Sequence, residues 1–192
     1  LDNTLIYSYK REIGNSKTGV EIYAGREISF MTDKSCNMLK ELNKRIIIVP
    51  TTTRTYEQYS RINLDIGNIK YALVCNGGIL VTDGKEDESW YKESLELVKS
   101  SRPQLLKAVG LLEKDARRIL DTRFLRELFV YTKCNFPEEV VKDLKEALDM
   151  TDIDVFNNGV KVYVVPKKLS KGMAIERFRK KVDASYIVAA GD

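Results

Sequence analysis

The sequence predicts an α/β protein in which a parallel-sheet core is interrupted by an inserted α+β domain. In residues 1–78, and again in 167–192, apolar runs alternate with segments of helical periodicity. This order is typical of parallel strands joined by crossover helices. Residues 79–166 combine strands, hairpins and helices in the order of a mainly antiparallel unit. We therefore expect a discontinuous core domain, 1–78 with 167–192, and an inserted domain at 79–166.

The elements of the core follow from local patterns. Residues 1–8 end a strand, and "YKREIGNSKTGVEIYA" is predicted to be a hairpin turned at Gly14 and Asn15, because both tolerate a positive φ. Residues 29–45 repeat apolar side chains at helical spacing. The later core elements are the buried strand "RIIIVP", a Thr-capped helix in "TTTRTYEQYSRI", the buried strand "YALVCN", the helix "SKGMAIERFRKK" and the buried strand "SYIVAAGD".

The elements of the inserted domain are punctuated by Gly and Pro. Asp83-Gly84 predicts a hairpin turn, and residues 94–116 are helical with an irregularity at Pro103. A strand follows in "ELFVYTK", and then a helix with Pro137 near its first turn, where Pro is tolerated. The domain ends with the hairpin "DIDVFNNGVKVYVVP", turned at "NNG".

Histidine is absent from the chain, and this absence excludes several classes of enzyme. Ser-His-Asp and Cys-His nucleophile systems need a His in the chain, as do His-ligated zinc hydrolases and 2-His-1-carboxylate iron enzymes. An enzyme made from this chain must rely on carboxylates, Lys, Arg, Thr, Ser, Tyr or a cofactor. Mg²⁺ held by carboxylate oxygens remains open.

The charge and cysteine content predict a cytoplasmic protein that binds neither nucleic acid nor membranes. The net charge is +4, and the basic residues are dispersed among acidic ones rather than gathered in a stripe. No apolar run approaches the roughly 20 residues that span a bilayer, and the apolar start lacks the basic region of a signal peptide. The three cysteines are distant and odd in number, which favours reduced thiols over a disulfide framework.

Four short motifs carry the candidate chemistry: "LDNTL", "VPTTTRT", "LSKGMAI" and "YIVAAGD". Each lies where a predicted strand ends or a helix begins, and ligands bind at that edge of a parallel sheet. Hydroxyls and N–H groups at a helix start hold phosphate, whereas a Lys in a first turn opposes the helix dipole and favours an anion-binding role. Each motif also has an ordinary structural explanation as a turn, a cap or an exposed residue.

The order of these motifs resembles the haloacid dehalogenase superfamily of aspartate-nucleophile phosphatases, in particular its Cof-like and sugar-phosphatase branch. "LDNT" matches the last four positions of D-x-D-x-T, and Thr52-Thr53-Arg54 matches T-G-R with Thr in place of Gly. "SKGMA" and the final "GD" match the third motif and the start of the fourth, and "CNGG" resembles the segment that leads into the cap. The nucleophile of the family would precede Leu1, and we expect that residue to be Asp.

The resemblance implies a Rossmann-like core with a C2-type cap, and a Mg²⁺-dependent phosphatase that works through an aspartyl-phosphate. Asp2 would be the general acid and base, and its carbonyl would bind Mg²⁺ together with the carboxylate of Asp192. Thr52 and Lys171 would act on the phosphoryl group. The residues implied to bind substrate are Thr52, Thr53, Arg54, Asn76 and Lys171. The expected partner is a small phosphorylated metabolite, such as a sugar or polyol phosphate.

Alternatives to hydrolysis remain open at the level of the sequence. A phosphomutase or phosphotransferase would use the same scaffold, and a non-catalytic ligand-binding domain would keep the fold without the nucleophile. Basic residues of the predicted cap are candidates for anionic substrate groups, although a solvated charged face is their ordinary explanation: Arg117, Arg118, Arg123, Arg126 and Lys133. The sequence does not indicate an oligomeric state.

Overall fold

The structure is a computed structural model that describes residues 1–191. The chain packs as two compact units: one consists of Leu1–Asp87 and the chain from Ala174 onward, and the other of Glu88–Met173. The mixed α/β class predicted from the sequence is confirmed. The packed second unit and the predicted inserted domain, 79–166, differ at both ends, and the limits of a cap domain remain a prediction.

A three-stranded antiparallel sheet opens the first unit. It contains β1 (Tyr7–Ser8), β2 (Lys17–Tyr23) and β3 (Arg26–Thr32) in the order β1-β3-β2. The turn between β2 and β3 lies at Ala24 and Gly25, whose φ values are 49° and 74°. The predicted hairpin turn at Gly14 and Asn15 is therefore wrong, since Gly14 uses its positive φ in the irregular segment before β2.

The helices of the first unit begin at threonine caps. The side chain of Thr32 accepts a hydrogen bond from the Ser35 N–H at the start of α1 (Asp33–Asn43). The helix α2 (Tyr56–Tyr59) is a single turn whose capping box pairs Thr55 with Gln58. The helix predicted over residues 51–62 is thus shorter than expected, because the preceding threonines belong to an irregular loop.

A second antiparallel sheet of the first unit contains β4 (Tyr71–Val74), β5 (Ile79–Thr82) and β6 (Lys85–Glu86) in sequence order. The predicted turn between β5 and β6 at Asp83-Gly84 is confirmed, with φ values of 49° and 74°. The strand β5 pairs with β4, and β6 pairs with β5, so residues 79–86 belong to a sheet of the first unit, which extends to Asp87.

Two runs predicted as buried strands are not strands in the structure. In the first run, residues 45–50, Ile46 and Ile47 are about half exposed, and the next residue, Thr51, makes a parallel bridge to β4. Residues 185–191 are irregular, and Val188 is 83% exposed. Within the described residues, the parallel pairings are this bridge and one between Asp2 and Ile6, and the expected parallel sheet is absent, because a β-branched run forms a strand only where a partner strand pairs with it.

The second unit is an α+β layer with a single core. Its antiparallel sheet has the order β7-β8-β10-β9, with strands Arg123–Leu125, Phe129–Lys133, Lys161–Pro166 and Ile153–Asn158. The helices are α3 (Glu88–Val98), α4 (Arg102–Glu113) and α5 (Pro137–Ala147), and α6 (Lys171–Lys181) begins in this unit. The predicted irregularity at Pro103, the helix with Pro137 in its first turn and the final hairpin are confirmed. The hairpin turns at Gly159 and Val160 instead of at the predicted "NNG".

The core of the second unit lies between its helices and one face of the sheet. Its buried residues come from α4, α5 and alternating positions of β8, β9 and β10, and they include Leu105, Leu144 and Val164. In the first unit, α6 packs against β4 through an edge-on contact of Phe178 with Tyr71, whose ring centroids are 5.0 Å apart. No helix of the described chain has the length and apolar character needed to cross a membrane.

Candidate functional site

Asp2, Thr52 and Arg54 lie together in the first unit. Arg54 Nη2 donates a hydrogen bond of 2.7 Å to Asp2 Oδ1, and Arg54 Nε donates to both carboxylate oxygens at 3.1 and 3.0 Å. The Thr52 hydroxyl makes a longer contact of 3.5 Å with Asp2 Oδ2. The fold thus brings three predicted site residues from two separate motifs into one cluster.

Backbone hydrogen bonds fasten the loop that carries Thr52 and Arg54 to β4. The Thr52 N–H donates to the Leu73 carbonyl at 2.9 Å, and the Cys75 N–H donates to the Arg54 carbonyl at 2.7 Å. The Thr52 hydroxyl also accepts a hydrogen bond from the Arg54 N–H at 3.2 Å, and Thr52 is almost completely buried. These bonds fix the direction in which Arg54 leaves the loop.

Asn76 lies directly behind this loop. Its N–H donates to the Thr52 carbonyl at 2.9 Å, and its φ is 59°. Cys75 and Gly77 also have positive φ, at 51° and 88°, so the chain turns sharply after β4. Such a run of left-handed residues is costly for side chains other than Gly and occurs at functional sites. The backbone of Asn76 is therefore part of the cluster that holds Thr52.

A buried carboxylate, Glu21, completes the cluster and has no counterpart among the predicted residues. Glu21 Oε1 accepts hydrogen bonds from Arg54 Nη1 at 2.9 Å and from Arg61 Nη2 at 3.1 Å. Glu21 Oε2 accepts a hydrogen bond from the Ser29 hydroxyl at 2.6 Å. Arg61 also stacks over the ring of Tyr23, with its guanidinium carbon 4.7 Å from the ring centroid.

The local sequence explains why this residue was missed. The pairing of β2 with β3 shifts register on both sides of Glu21, and Val20 and Glu21 are both buried. A β-bulge of this kind places two successive side chains on the inner side, whereas regular alternation puts one of them in solvent. An acidic residue beside an apolar one in a strand therefore gave no signal of burial.

The electrostatics of the cluster favour charged forms. Burial raises the pKa of Asp2, but the hydrogen bonds and charge of Arg54 outweigh it, so this pKa lies below its ordinary value. Burial also raises the pKa of Glu21, and the hydrogen bonds from Arg54 and Ser29 more than offset that effect. The pKa of Arg54 is raised, because its two carboxylate partners outweigh the cost of its burial.

The remaining predicted residues are not members of this cluster. Thr53 is exposed in the loop between Thr52 and Arg54. Lys171 begins α6 in the second unit, where the Ser170 hydroxyl accepts a hydrogen bond from the Met173 N–H. Asp192, the predicted metal ligand, lies outside the described residues. Residues 1–191 contain no group of three Asp, Glu or Cys side chains arranged to hold a metal ion.

The basic residues of the second unit are largely engaged by neighbouring groups. Arg117 donates to Asp115 at 2.8 Å and to Asp143 at 2.7 Å. Arg118 pairs with Asp121 at 3.0 Å. The guanidinium of Arg126 lies 4.7 Å from the ring centroid of Tyr91. Arg117 therefore links Asp115, in the loop after α4, to Asp143 of α5, and this structural role explains it better than an anion-binding role does.

Solved structures of phosphatases have a similar fold. The sucrose-phosphatase from Synechocystis sp. PCC6803, in complex with sucrose and phosphate, matches with a TM-score of 0.56 at 17% identity, over 80% of this chain and 66% of that chain. An N-terminally truncated IMP-nucleotidase from Plasmodium falciparum matches with a TM-score of 0.54 at 14% identity, over 79% of this chain and 55% of that chain.

The match in fold does not extend to the whole length of these proteins. The chain spans just under two thirds of the sucrose-phosphatase and about half of the IMP-nucleotidase. No family model matches the sequence. No curated protein matches it either. At these identities the comparison establishes the fold alone, which this chain shares with the sucrose-phosphatase and the IMP-nucleotidase.

Proposed function

We propose that the protein is a Mg²⁺-dependent phosphatase that hydrolyses a small phosphorylated metabolite through an aspartyl-phosphate. The observation that carries the proposal is the contact of Asp2 with Arg54 and Thr52, on a fold shared with phosphatases. The first and second motifs, separated by about fifty residues, meet at one place. Neither a turn residue nor a helix cap requires such a meeting.

The phosphoryl group would be held by Thr52 and Arg54. A transferring phosphoryl group carries charge on three equatorial oxygens, and fixed donors aimed at those oxygens stabilise it. Thr52 supplies a hydroxyl in a loop fastened to β4, and Arg54 supplies a planar fork of N–H groups suited to phosphate oxygens. Lys171 is proposed to offset the remaining negative charge.

Asp2 would transfer protons. A carboxyl group whose pKa lies below its ordinary value is ionised at neutral pH, which suits the acceptance of a proton from water. Donation of a proton to the leaving oxygen requires the opposite state. We propose that a bound phosphoryl group draws the guanidinium of Arg54 away from Asp2, because loss of that partner raises the pKa of the carboxyl.

The described residues do not by themselves form a Mg²⁺ site. The carboxylates of Asp2 and Glu21 are both bonded to arginine, and no third carboxylate joins them within residues 1–191. Mg²⁺ enters the proposal through the motif resemblance, with the Asp2 carbonyl and the Asp192 carboxylate as its ligands. No step of the reaction is assigned to the ion.

A sugar or polyol phosphate is the proposed substrate class. The sucrose-phosphatase of similar fold supports it, whereas the IMP-nucleotidase makes nucleoside monophosphates the necessary comparison. A phosphotransferase differs by passing the phosphoryl group to a second hydroxyl instead of water. A cytoplasmic location is proposed as well, since the thiols of Cys36, Cys75 and Cys134 are buried and form no disulfide.

The proposal is tested with the full-length gene product. Phosphate release is measured for a panel of sugar, polyol and nucleoside monophosphates, with Mg²⁺ and with chelator. We expect release that depends on Mg²⁺, its loss in Asp2→Asn, and its retention in Asp65→Asn, a control at an exposed ion pair with Lys40. No release from any substrate, or full activity of Asp2→Asn, would contradict the proposal.

A further inference from the structure

Glu21 links the candidate site to the hairpin of β2 and β3. Its carboxylate is buried, and it accepts hydrogen bonds from Arg54, Arg61 and Ser29. Burial of an unpaired carboxylate is costly, so a residue of this kind has to be held by cations and hydrogen-bond donors. The question is whether Glu21 serves only the hairpin or also the site.

The geometry of Arg54 argues for the site. Asp2 engages the Nε and Nη2 edge of the guanidinium, and Glu21 engages Nη1 at the other end. The plane of the guanidinium is thus fixed at two ends by two carboxylates. Because the Arg54 side chain is only 17% exposed, few other directions are open to it.

Glu21 is itself fixed independently of Arg54. Arg61 bonds Oε1 through Nε at 3.3 Å and Nη2 at 3.1 Å, while Ser29 bonds Oε2. A carboxylate held in this way is a rigid anchor, and site residues keep their geometry when neighbouring groups lock them. The Asp2 carboxylate is held less firmly, since beside Arg54 it has the 3.5 Å contact of the Thr52 hydroxyl and its side chain is 46% exposed.

We propose that Glu21 is a positioning residue that holds Arg54 beside Asp2 and Thr52 before a phosphoryl group arrives. This inference rests on the proposed phosphatase function. When phosphoryl oxygens compete for Arg54, the bond to Glu21 is the one that stays, and the guanidinium turns about it rather than leaving the site. Arg61 and Ser29 act on the site only through Glu21.

The first test is a double-mutant cycle in the full-length protein. We expect Glu21→Gln to lower kcat/KM about 10- to 100-fold, as misplacement of a positioned group does. In the Arg54→Lys background the same change should cost less than about threefold, because the group that Glu21 positions is already lost. Glu27→Gln, an exposed position on β3, is the matched control and should leave kcat/KM unchanged.

The second test does not depend on activity. The Nε–H resonance of Arg54, assigned by its loss in Arg54→Lys, is followed in ¹H–¹⁵N spectra of each variant. We expect slow exchange with water in the wild type, at least tenfold faster exchange in Glu21→Gln, and no change in Glu27→Gln. Ser29→Ala keeps every charge of the cluster and should give a smaller change in the same direction, which guards against a Glu21→Gln variant that does not fold.

The outcomes separate this inference from the function on which it rests. If the wild type releases no phosphate from any substrate, the proposed function fails. The exchange rate of the Arg54 Nε–H then decides by itself whether Glu21 holds the guanidinium of Arg54. An unchanged Arg54 signal in Glu21→Gln and Ser29→Ala overturns the inference even in an active enzyme. Equal losses of kcat/KM from Glu21→Gln with and without Arg54 also overturn it, since they assign the loss to general stability.

Discussion

The substitution Glu21→Gln provides a direct measure of how much the buried cluster stabilises the first unit. Glutamine has nearly the same shape, so the change leaves no cavity. Its amide oxygen still accepts a hydrogen bond, and the Ser29 hydroxyl can accept from the amide nitrogen instead of donating. The change therefore removes one negative charge from a site where Glu21 faces two arginines.

The expected cost follows from what happens to those arginines. Removal of one partner from a buried ion pair costs about 3–5 kcal/mol when the other charge is left unpaired. Here Arg54 keeps the carboxylate of Asp2, and Arg61 is 32% exposed and keeps the ring of Tyr23. We expect a loss of about 2–3 kcal/mol in the free energy of unfolding, and a fall in Tm of about 4–12 °C for a chain of this size.

The assay has to report on the first unit. Hydrogen exchange of peptides from β2 and β3, read by mass spectrometry, measures the opening of the hairpin that carries Glu21. Urea unfolding followed by far-UV circular dichroism gives the change in free energy. Fluorescence of Trp90, the single Trp of the sequence, reports on the second unit, in which it is buried.

Two results would refute this reasoning. A loss below about 0.5 kcal/mol, equal to that of the control Glu27→Gln, would mean that the charge of Glu21 contributes no net stability and is balanced by its desolvation. Unchanged hydrogen exchange in β2 and β3, together with a lower urea midpoint by Trp90 fluorescence, would mean that the substitution destabilises the second unit instead of the first.

Three further predictions concern stability. The pKa values of Asp2 and Glu21 are lowered in the folded protein, so their contribution to stability is present at neutral pH and is lost as pH falls through those folded values. The urea concentration at the unfolding midpoint should therefore decrease once the pH is below about 4, and this decrease should be smaller in Glu21→Gln. A midpoint independent of pH would contradict this. Leu105→Ala should cost about 2–5 kcal/mol by leaving a cavity in the core of the second unit, measured by Trp fluorescence, and a cost below 1 kcal/mol would indicate a loose core. Gly110→Ala in α4, where an added Cβ meets no atom, should raise stability by about 0.5–1 kcal/mol, whereas Gly84→Ala at a φ of 74° should lower it by about 1 kcal/mol; equal effects in thermal unfolding would refute the argument from backbone conformation.

The second unit was predictable because its signals are local. Proline marks the start of two helices, and the final hairpin turns at Gly159 and Val160, whose neighbours pair in regular register. Buried and exposed positions alternate along β9, so a period of two in the sequence corresponds to one face of the sheet. In such segments propensity, turn chemistry and burial agree.

The first unit was harder to predict, since its deciding contacts are distant in sequence. The turn of its first hairpin places Ala24 at a φ of 49°, a conformation that is uncommon for residues other than Gly. Gly14 is the residue type preferred in such a turn, yet it does not lie in a turn between two paired strands. The apolar run at residues 45–50 has the composition of a buried strand, yet the only bridge to β4 near it within the described residues is made by Thr51. Composition alone does not supply a partner strand.

The candidate site also contains residues that the sequence motifs predict and one residue, Glu21, that they do not. The meeting of Asp2 with Thr52 and Arg54 was expected from the order of motifs, whereas Glu21 depended on a bulge that no motif marks. Its burial follows from pairing with β3, where Ser29 lies opposite, and that pairing is a property of the folded hairpin.

The charge of the completed cluster explains why the proposed function needs further cations. Asp2 and Glu21 carry two negative charges, and Arg54 and Arg61 carry two positive ones, so the cluster is neutral before substrate binds. A phosphate monoester dianion would leave it with an excess of two negative charges in a partly buried place, where such an excess is strongly unfavourable. Thr52 supplies hydrogen bonds but no charge. Lys171 and Mg²⁺ are the positive charges that the proposal adds, so loss of either should weaken phosphate binding more than loss of the Thr52 hydroxyl.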